Sequence, residues 1–305
     1  MNAIIHPSQS AAQVEKDKAD CISKGNIAAK FHYQTQKQTT LWLKLHKEYA
    51  PQDSLFSTYI DTAEYLATEW PHRNGSLIAL GCGGGEKDIA ILEKLPINTS
   101  FLATDVSEKL VLHASRRSLE NNKNKTLKPL VFDLATAVGL PEFIDQYVGS
   151  NRIYTFFGII PNFPPKNILP QLRALLRPGD YLLFSANLAP NGMEKILPQY
   201  DNQLTRDWLA EFPKSHGAGR GEVRVAIQSD DDLEYISASF TFQETCVMKA
   251  NGTPFEFNPG DSLQLFVSYR YSVNSLADTL KPYGIKIEKS FQSKNGEEGV
   301  FICSL

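Results

Sequence analysis

Leu77-Ile78-Ala79-Leu80-Gly81-Cys82-Gly83-Gly84-Gly85-Glu86-Lys87 carries the strongest fold signal in the chain. An apolar run enters a loop with glycines at 81, 83 and 85, and a helical segment follows at once. Glycine lets the backbone turn this tightly and lets a ligand lie against it. A dinucleotide-binding loop needs a third glycine at position 86, and Glu86 stands there instead. Asp105 closes the next apolar run, twenty positions after Gly85. A carboxylate at that place can accept hydrogen bonds from both hydroxyls of a ribose. Its alternative role is to cap the following helix, which Ser107 can also do.

From this stretch outward the chain alternates. Strands are predicted at 77–80, 100–104, 129–132, 153–157 and 181–185, with helices at 86–95, 108–120 and 168–176, the last stopped by Pro178-Gly179. Such alternation implies right-handed crossovers and a parallel sheet covered on both faces. Upstream, Leu41, Leu45 and Tyr49 mark a helix over 37–49. Leu55, Tyr59, Ala63 and Leu66, with Trp70 one turn on, mark another over 53–70. Residues 1–28 are polar and expected to be loosely held. After Asn187 the pattern changes to apolar–polar alternation at 223–228, 233–245, 253–257 and 262–271, broken by Asn251-Gly252 and Pro259-Gly260. A helix at 273–281 and a hairpin of 286–291 with 300–304 close the chain. The expected organisation is an N-terminal helical segment (1–59) packing with the substrate domain, a sheet domain (60–186 and 272–305) and an inserted antiparallel domain (187–271).

The 305 residues are 42% hydrophobic and 21% charged, with a net charge of −3, so no electrostatic footprint for nucleic acid is visible. Cysteines 21, 82, 246 and 303 have no paired spacing, and the six histidines form no ligand pair. Neither a disulfide framework nor a metal site is expected, and a reducing cytoplasm fits. The first thirty residues hold no continuous apolar core, and no run reaches the roughly 18 apolar residues of a membrane span. The expected partner is therefore a small molecule.

The G-x-G-x-G spacing resembles the first motif of class I methyltransferases, which bind S-adenosylmethionine. That resemblance implies an α/β fold with a Rossmann-like, seven-stranded, mostly parallel sheet and an inserted antiparallel, β-rich substrate domain. Ligands of such sheets lie outside the carboxyl ends of the strands. Gly81, Gly83 and Gly85 would supply backbone amides near the methionine moiety. Lys87 would reach its carboxylate, or stand as a solvated first-turn lysine. Asp105 would take the ribose. Phe132 and Asp133 would meet the adenine, or Asp133 would serve only its turn, and Phe157 would complete the apolar wall.

The resemblance narrows after 153–157. Gly158 with Asn162 in Gly158-Ile159-Ile160-Pro161-Asn162 is similar to the signature of the histidine-specific methyltransferase family. Further stretches agree in order: Lys30-Phe31-His32-Tyr33, Gly85-Glu86-Lys87, Thr104-Asp105-Val106-Ser107, Gln199-Tyr200-Asp201-Asn202 with Thr205, and Val267-Ser268-Tyr269-Arg270-Tyr271. The resemblance covers about residues 30–305. It implies that Asn162 holds the substrate's amino nitrogen and that Tyr33 and Tyr200 hold its carboxylate or frame the amine. Ser268 would face the substrate side chain, with Phe266 and Tyr49 on the same substrate side. Tyr33 could instead fill the core, and Asn162 could cap a turn.

The departures redirect the substrate. The family's glutamate two places before the matching serine is Phe266, which cannot accept a hydrogen bond from an imidazole N–H. An unpaired N–H in a closed site costs about 1–3 kcal/mol. Ala79 replaces the acid of the first strand, Gln34 follows Tyr33 in place of aspartate, and Pro161 precedes Asn162 in a loop one residue shorter. The expected function is an S-adenosylmethionine-dependent N-methyltransferase acting on an amino acid or related small amine other than histidine. The alternatives are an O- or C-methyltransferase on a natural-product scaffold, and a cofactor-binding regulatory protein without catalysis.

Overall fold

Asn74–Leu80 runs through the middle of an eight-stranded sheet, and its last five residues are all buried. A continuous apolar run is what a parallel strand covered on both faces requires. The computed structural model describes residues 1–49, 54–121, 124–230 and 233–305, without the side chains of residues 46, 49, 54, 55 and 121. Across the sheet the order is Ile4–Ile5, Leu130–Val131, Asn98–Asp105, Asn74–Leu80, Arg152–Phe156, Tyr181–Asn187, Glu298–Ser304, Lys286–Gln292. The first six run parallel, and Glu298–Ser304 is antiparallel to both of its neighbours. The expected seven strands are present, and Ile4–Ile5 adds an eighth at the edge.

The chain divides into two units. One comprises Met1–Ser10, Gln52–Leu188 and Tyr271–Leu305; the other comprises Ala11–Pro51 and Ala189–Arg270. Residues 1–10 and the helix Ser54–Glu69 thus belong with the sheet rather than with the other N-terminal residues. In that helix Tyr59, Ala63 and Leu66 are fully buried, joining Leu77, Ala79, Phe101 and Val300 in one apolar core. The spacing of 4 and 3 places them on one helical face. The N-terminus, expected to be loose, instead pairs with the sheet and continues into the helix Ala11–Ser23. Ile4 and His6 donate their N–H groups to the carbonyls of Pro129 and Val131, at 2.9 and 2.8 Å.

In the second unit, Ser262–Tyr269, Leu233–Phe242 and Gly221–Asp230 form an antiparallel sheet in that order, and Cys246–Ala250 pairs with Thr253–Phe257. Phe31, Trp208, Leu209, Phe212, Phe240 and Leu263 fill its core. Two features differ from expectation. The strand foreseen over 233–245 breaks after Phe242, where Glu244 accepts hydrogen bonds from the backbone N and Nε of Arg220 at 2.7 and 3.0 Å and holds a turn. Two helices, Met193–Tyr200 and Gln203–Ser215, precede the meander. Pro198 and Pro213 inside them read as breakers. No helix among the described residues is long and apolar enough to cross a membrane.

Candidate active site

The glycine loop leaves the central strand with φ near +64° at Gly81, +52° at Gly83 and +77° at Gly85. At Gly81 a Cβ would lie 2.1 Å from Ile159 Cδ1, so that glycine serves close packing as well as the turn. At Gly83 a Cβ would meet nothing within 4 Å, which leaves that bend open to a ligand. The loop is tied to the next strand. Gly83 N–H donates to Asp105 Oδ2 at 3.1 Å, and Ser107 N–H donates to Oδ1 at 2.9 Å. The cap of the helix Glu108–Asn121 falls to Ser107, whose Oγ accepts the Leu110 N–H at 3.4 Å, while Asp105 holds the turn before it. Each carboxylate oxygen still keeps a second lone pair for a ribose hydroxyl. Burial pushes the Asp105 carboxyl up, and the N–H bonds from Ser107 and Gly83 pull it back.

The strand Leu130–Val131 leads into Phe132 and Asp133, both buried. Asp133 Oδ1 accepts the Ala135 N–H at 2.9 Å, so this residue also holds its own turn. The N-terminal residues pin the same loop. Ser8 Oγ accepts the Asp133 N–H at 3.2 Å and lies 3.0 Å from His6 Nδ1.

Lys87 keeps a half-buried side chain tied into a polar cluster. Its Nζ donates to the Tyr59 hydroxyl at 2.8 Å, lies 3.4 Å from Glu298 Oε1, and sits 4.5 Å above the Tyr59 ring. Tyr59 donates to Glu298 at 2.6 Å and meets Phe157 edge-on, ring centroids 4.9 Å apart. Burial, with the Glu298 charge beside it, holds the Tyr59 hydroxyl well above its ordinary pKa. Sequence reasoning found Lys87 and Phe157 but neither Tyr59 nor Glu298 as polar partners, because these sit 239 positions apart. It also missed Asp88, a buried carboxyl in the first turn of Glu86–Leu92 that accepts a hydrogen bond from Thr155. Burial pushes its pKa up to about 6.

Asn162 closes a short 3₁₀ turn, Ile160–Asn162, after the strand Arg152–Phe156. Its N–H donates to the Ile159 carbonyl at 2.9 Å. Its half-buried side-chain amide caps nothing there and has no hydrogen-bond partner among the described residues.

The second unit gathers the residues expected on the substrate side. Tyr33 is 40% exposed, so it does not fill a core; its ring lies 5.6 Å from both Trp42 and Trp208. Its neighbour His32 is fully buried, with Nε2 2.6 Å from the Leu265 carbonyl, and burial pushes the imidazole down to about 4. Trp208 meets Phe266 at 6.1 Å, and Tyr200 stacks on Phe266 at 5.8 Å. A register shift between Gln264 and Phe266 sets Phe266 opposite Ala238 and Ser268 opposite Ile236. Ser268, nearly fully buried, has its Oγ 3.4 Å from the Tyr200 hydroxyl. Arg270 donates from Nη2 to that same hydroxyl. Arg270 stood in a quoted motif without a role. Tyr49 ends the helix Gln36–Tyr49, and its side chain lies outside those described.

The solved structure of OxaC superposes with a TM-score of 0.51 at 15% identity, covering 90% of this chain and 52% of that one. A S-adenosylmethionine-dependent methyltransferase from Clostridium acetobutylicum gives 0.44 at 13% identity, over 88% and 98% of the two chains. Magnesium protoporphyrin IX methyltransferase from Synechocystis PCC 6803, with bound S-adenosylhomocysteine, gives 0.49 at 12% identity, over 89% and 95%. At 15% identity the likeness to OxaC speaks for the fold alone. No curated protein matches the sequence. A family model described as histidine-specific methyltransferase, SAM-dependent, matches residues 33–215, more than half of the chain. The protein belongs to that family and is a methyltransferase that uses S-adenosylmethionine.

Proposed function

We propose that the protein transfers a methyl group from S-adenosylmethionine to the amino nitrogen of an amino acid or a related small amine, histidine excepted. The observation that carries this reading is the unpaired, half-buried amide of Asn162, one turn beyond the carboxyl end of Arg152–Phe156. Ligands of an open α/β sheet sit at that edge. In this reading Gly81, Gly83, Gly85 and Lys87 take the methionine end of the cofactor, Asp105 the ribose, and Phe132, Asp133 and Phe157 the adenine and its wall. Tyr33 and Tyr200 take the acceptor's polar end, with Phe266, Ser268 and Tyr49 around its side chain.

The reaction is an in-line displacement. The amine lone pair forms the new N–C bond as the C–S bond breaks, and the sulfonium becomes a neutral thioether. The positive charge passes to nitrogen, whose extra proton leaves to water. Positioning alone can supply roughly 7–11 kcal/mol of such a barrier. The Asn162 carbonyl can orient the amine, and aromatic faces favour the growing cation by about 0.5–2 kcal/mol each. The test is Asn162→Ala, read by single-turnover rate, S-adenosylhomocysteine affinity and melting temperature. A sharp loss of rate with cofactor affinity and stability retained supports the assignment. A destabilised protein with normal turnover removes it.

A further inference from the structure

Glu298 opens the strand Glu298–Ser304 opposite Asn187, the last residue of Tyr181–Asn187, and so stands at the carboxyl edge of the sheet. It lies beyond the residues that the family model matches. Ser293 fixes its backbone: Ser293 Oγ accepts the Glu298 N–H at 3.1 Å, and the Ser293 N–H donates to the Glu298 carbonyl at 2.9 Å. The side chain is 11% exposed, and its Oε1 accepts the Tyr59 hydroxyl at 2.6 Å. Lys87 is the one cation that forms an ion pair with it among the described residues. That separation, 3.4 Å from Nζ to Oε1, exceeds the roughly 2.7–2.9 Å of a close charge-assisted bond. The Tyr59 phenol stands between the two ions, donating to Glu298 and accepting from Lys87. The pair is therefore not closed on itself. Lys87 keeps further N–H groups, and Glu298 Oε2 accepts no hydrogen bond among the described residues. A mostly buried carboxylate calls for more compensation than one loose ammonium gives. An ammonium and a carboxylate held at one sheet edge match a ligand that carries both, an α-amino-acid zwitterion.

We propose that Glu298 receives the α-ammonium of S-adenosylmethionine, whose methionine end is such a zwitterion. The proposal rests on the reading that Lys87 takes the carboxylate of that end. Ligands of an open α/β sheet lie at this edge. Phe157, read as a wall of the cofactor site, meets the Tyr59 ring edge-on at 4.9 Å. Tyr59 is the positioning residue. Its hydroxyl ties Glu298 and Lys87 to one point, so that each charge meets its opposite on the ligand. Two fixed charges on one ligand carbon orient the methionine chain and, with it, the sulfonium methyl.

The test is calorimetry without turnover. The probes are S-adenosylhomocysteine, which carries the same amino-acid end, its analogue lacking the α-amino group, and 5′-methylthioadenosine, which has no amino-acid end. The wild type binds S-adenosylhomocysteine at least about tenfold more tightly than the desamino analogue, because the latter cannot make the charge-assisted bond. Glu298→Gln weakens S-adenosylhomocysteine by a similar factor and leaves the other two probes unchanged, which erases the preference for the amino group. Tyr59→Phe weakens S-adenosylhomocysteine and spares methylthioadenosine. Equal wild-type affinity for S-adenosylhomocysteine and the desamino analogue overturns the proposal. So does Glu298→Gln that leaves S-adenosylhomocysteine binding unchanged, or that weakens all three probes alike, as a merely structural role would. If Glu298→Gln does not fold, Glu298→Asp, which draws the carboxylate back by one methylene, is read by the same ratio. Lys87→Gln separates the proposal from its premise. Unchanged S-adenosylhomocysteine affinity in that variant removes Lys87 from the methionine end, while Glu298 stands or falls on its own variants.

Discussion

Asp105 accepts two backbone N–H groups and keeps the lone pairs that a ribose would need. Asp105→Ala is expected to weaken S-adenosylhomocysteine binding at least about tenfold, since charge-assisted bonds are the strong ones; calorimetry reads this directly, and unchanged affinity removes Asp105 from the site. Phe266 argues against histidine. It is flanked by Tyr200 and Trp208 and offers an imidazole N–H no acceptor. Histidine should be a poor substrate, and Phe266→Glu should tighten its binding; efficient methylation of histidine by the wild type contradicts this. Asp88 predicts a pH dependence. Its folded pKa of about 6 lies above the ordinary 3.8, so the folded state holds the proton longer than the unfolded chain. The stability this group contributes is complete below about pH 4 and is lost as pH rises through about 6, at roughly 1.4 kcal/mol per unit in between. Urea denaturation at pH 4.5 and 7.5 should show Asp88→Asn gaining on wild type at the higher pH; parallel profiles contradict it. At this scale the sequence offered residue types at fixed spacing, such as Gly83, Asp105 and Asn162, from which the proposed roles are read. It concealed the Tyr59–Glu298 and Arg270–Tyr200 contacts, which exist only through folding.

Among elements, the long periodic ones were legible and the short or interrupted ones were not. The helix Ser54–Glu69 shows an unbroken apolar stripe, and the central strands are continuous apolar runs. Ile4–Ile5 is two residues long, below any periodicity, and is fixed by its parallel pairing with Leu130–Val131. Because His6 and Ser8 continue from it to the Asp133 loop, deleting residues 2–10 should lower both the melting temperature and the affinity for S-adenosylhomocysteine. Undiminished affinity would show that this edge does not position the loop. The helix Gln203–Ser215 carried a readable start that its proline masked. Asn202 caps it by accepting the Thr205 N–H at 3.0 Å. Asn202→Ala should cost about 1 kcal/mol of stability, read by chemical denaturation.

For the whole molecule, strand–helix alternation and the right-handed crossover rule foretold a parallel sheet with a terminal hairpin, and that is its order. The apolar–polar alternation after residue 220 foretold antiparallel strands, but not the split between a three-stranded sheet and a separate hairpin, which depends on the Glu244 turn. Membership of the histidine-specific methyltransferase family fixes the cofactor and leaves the acceptor to be identified. The acceptor atom is therefore the central question. The direct measurement uses enzyme, S-adenosylmethionine labelled with ¹³C in its methyl group, and an extract of small amines and amino acids, followed by mass spectrometry and NMR of each labelled product. The account predicts a product one methyl heavier, with the label on a former amino nitrogen of an amino acid or related small amine, and an unlabelled histidine pool. Label on oxygen or carbon, or no transfer to any amine, would contradict it.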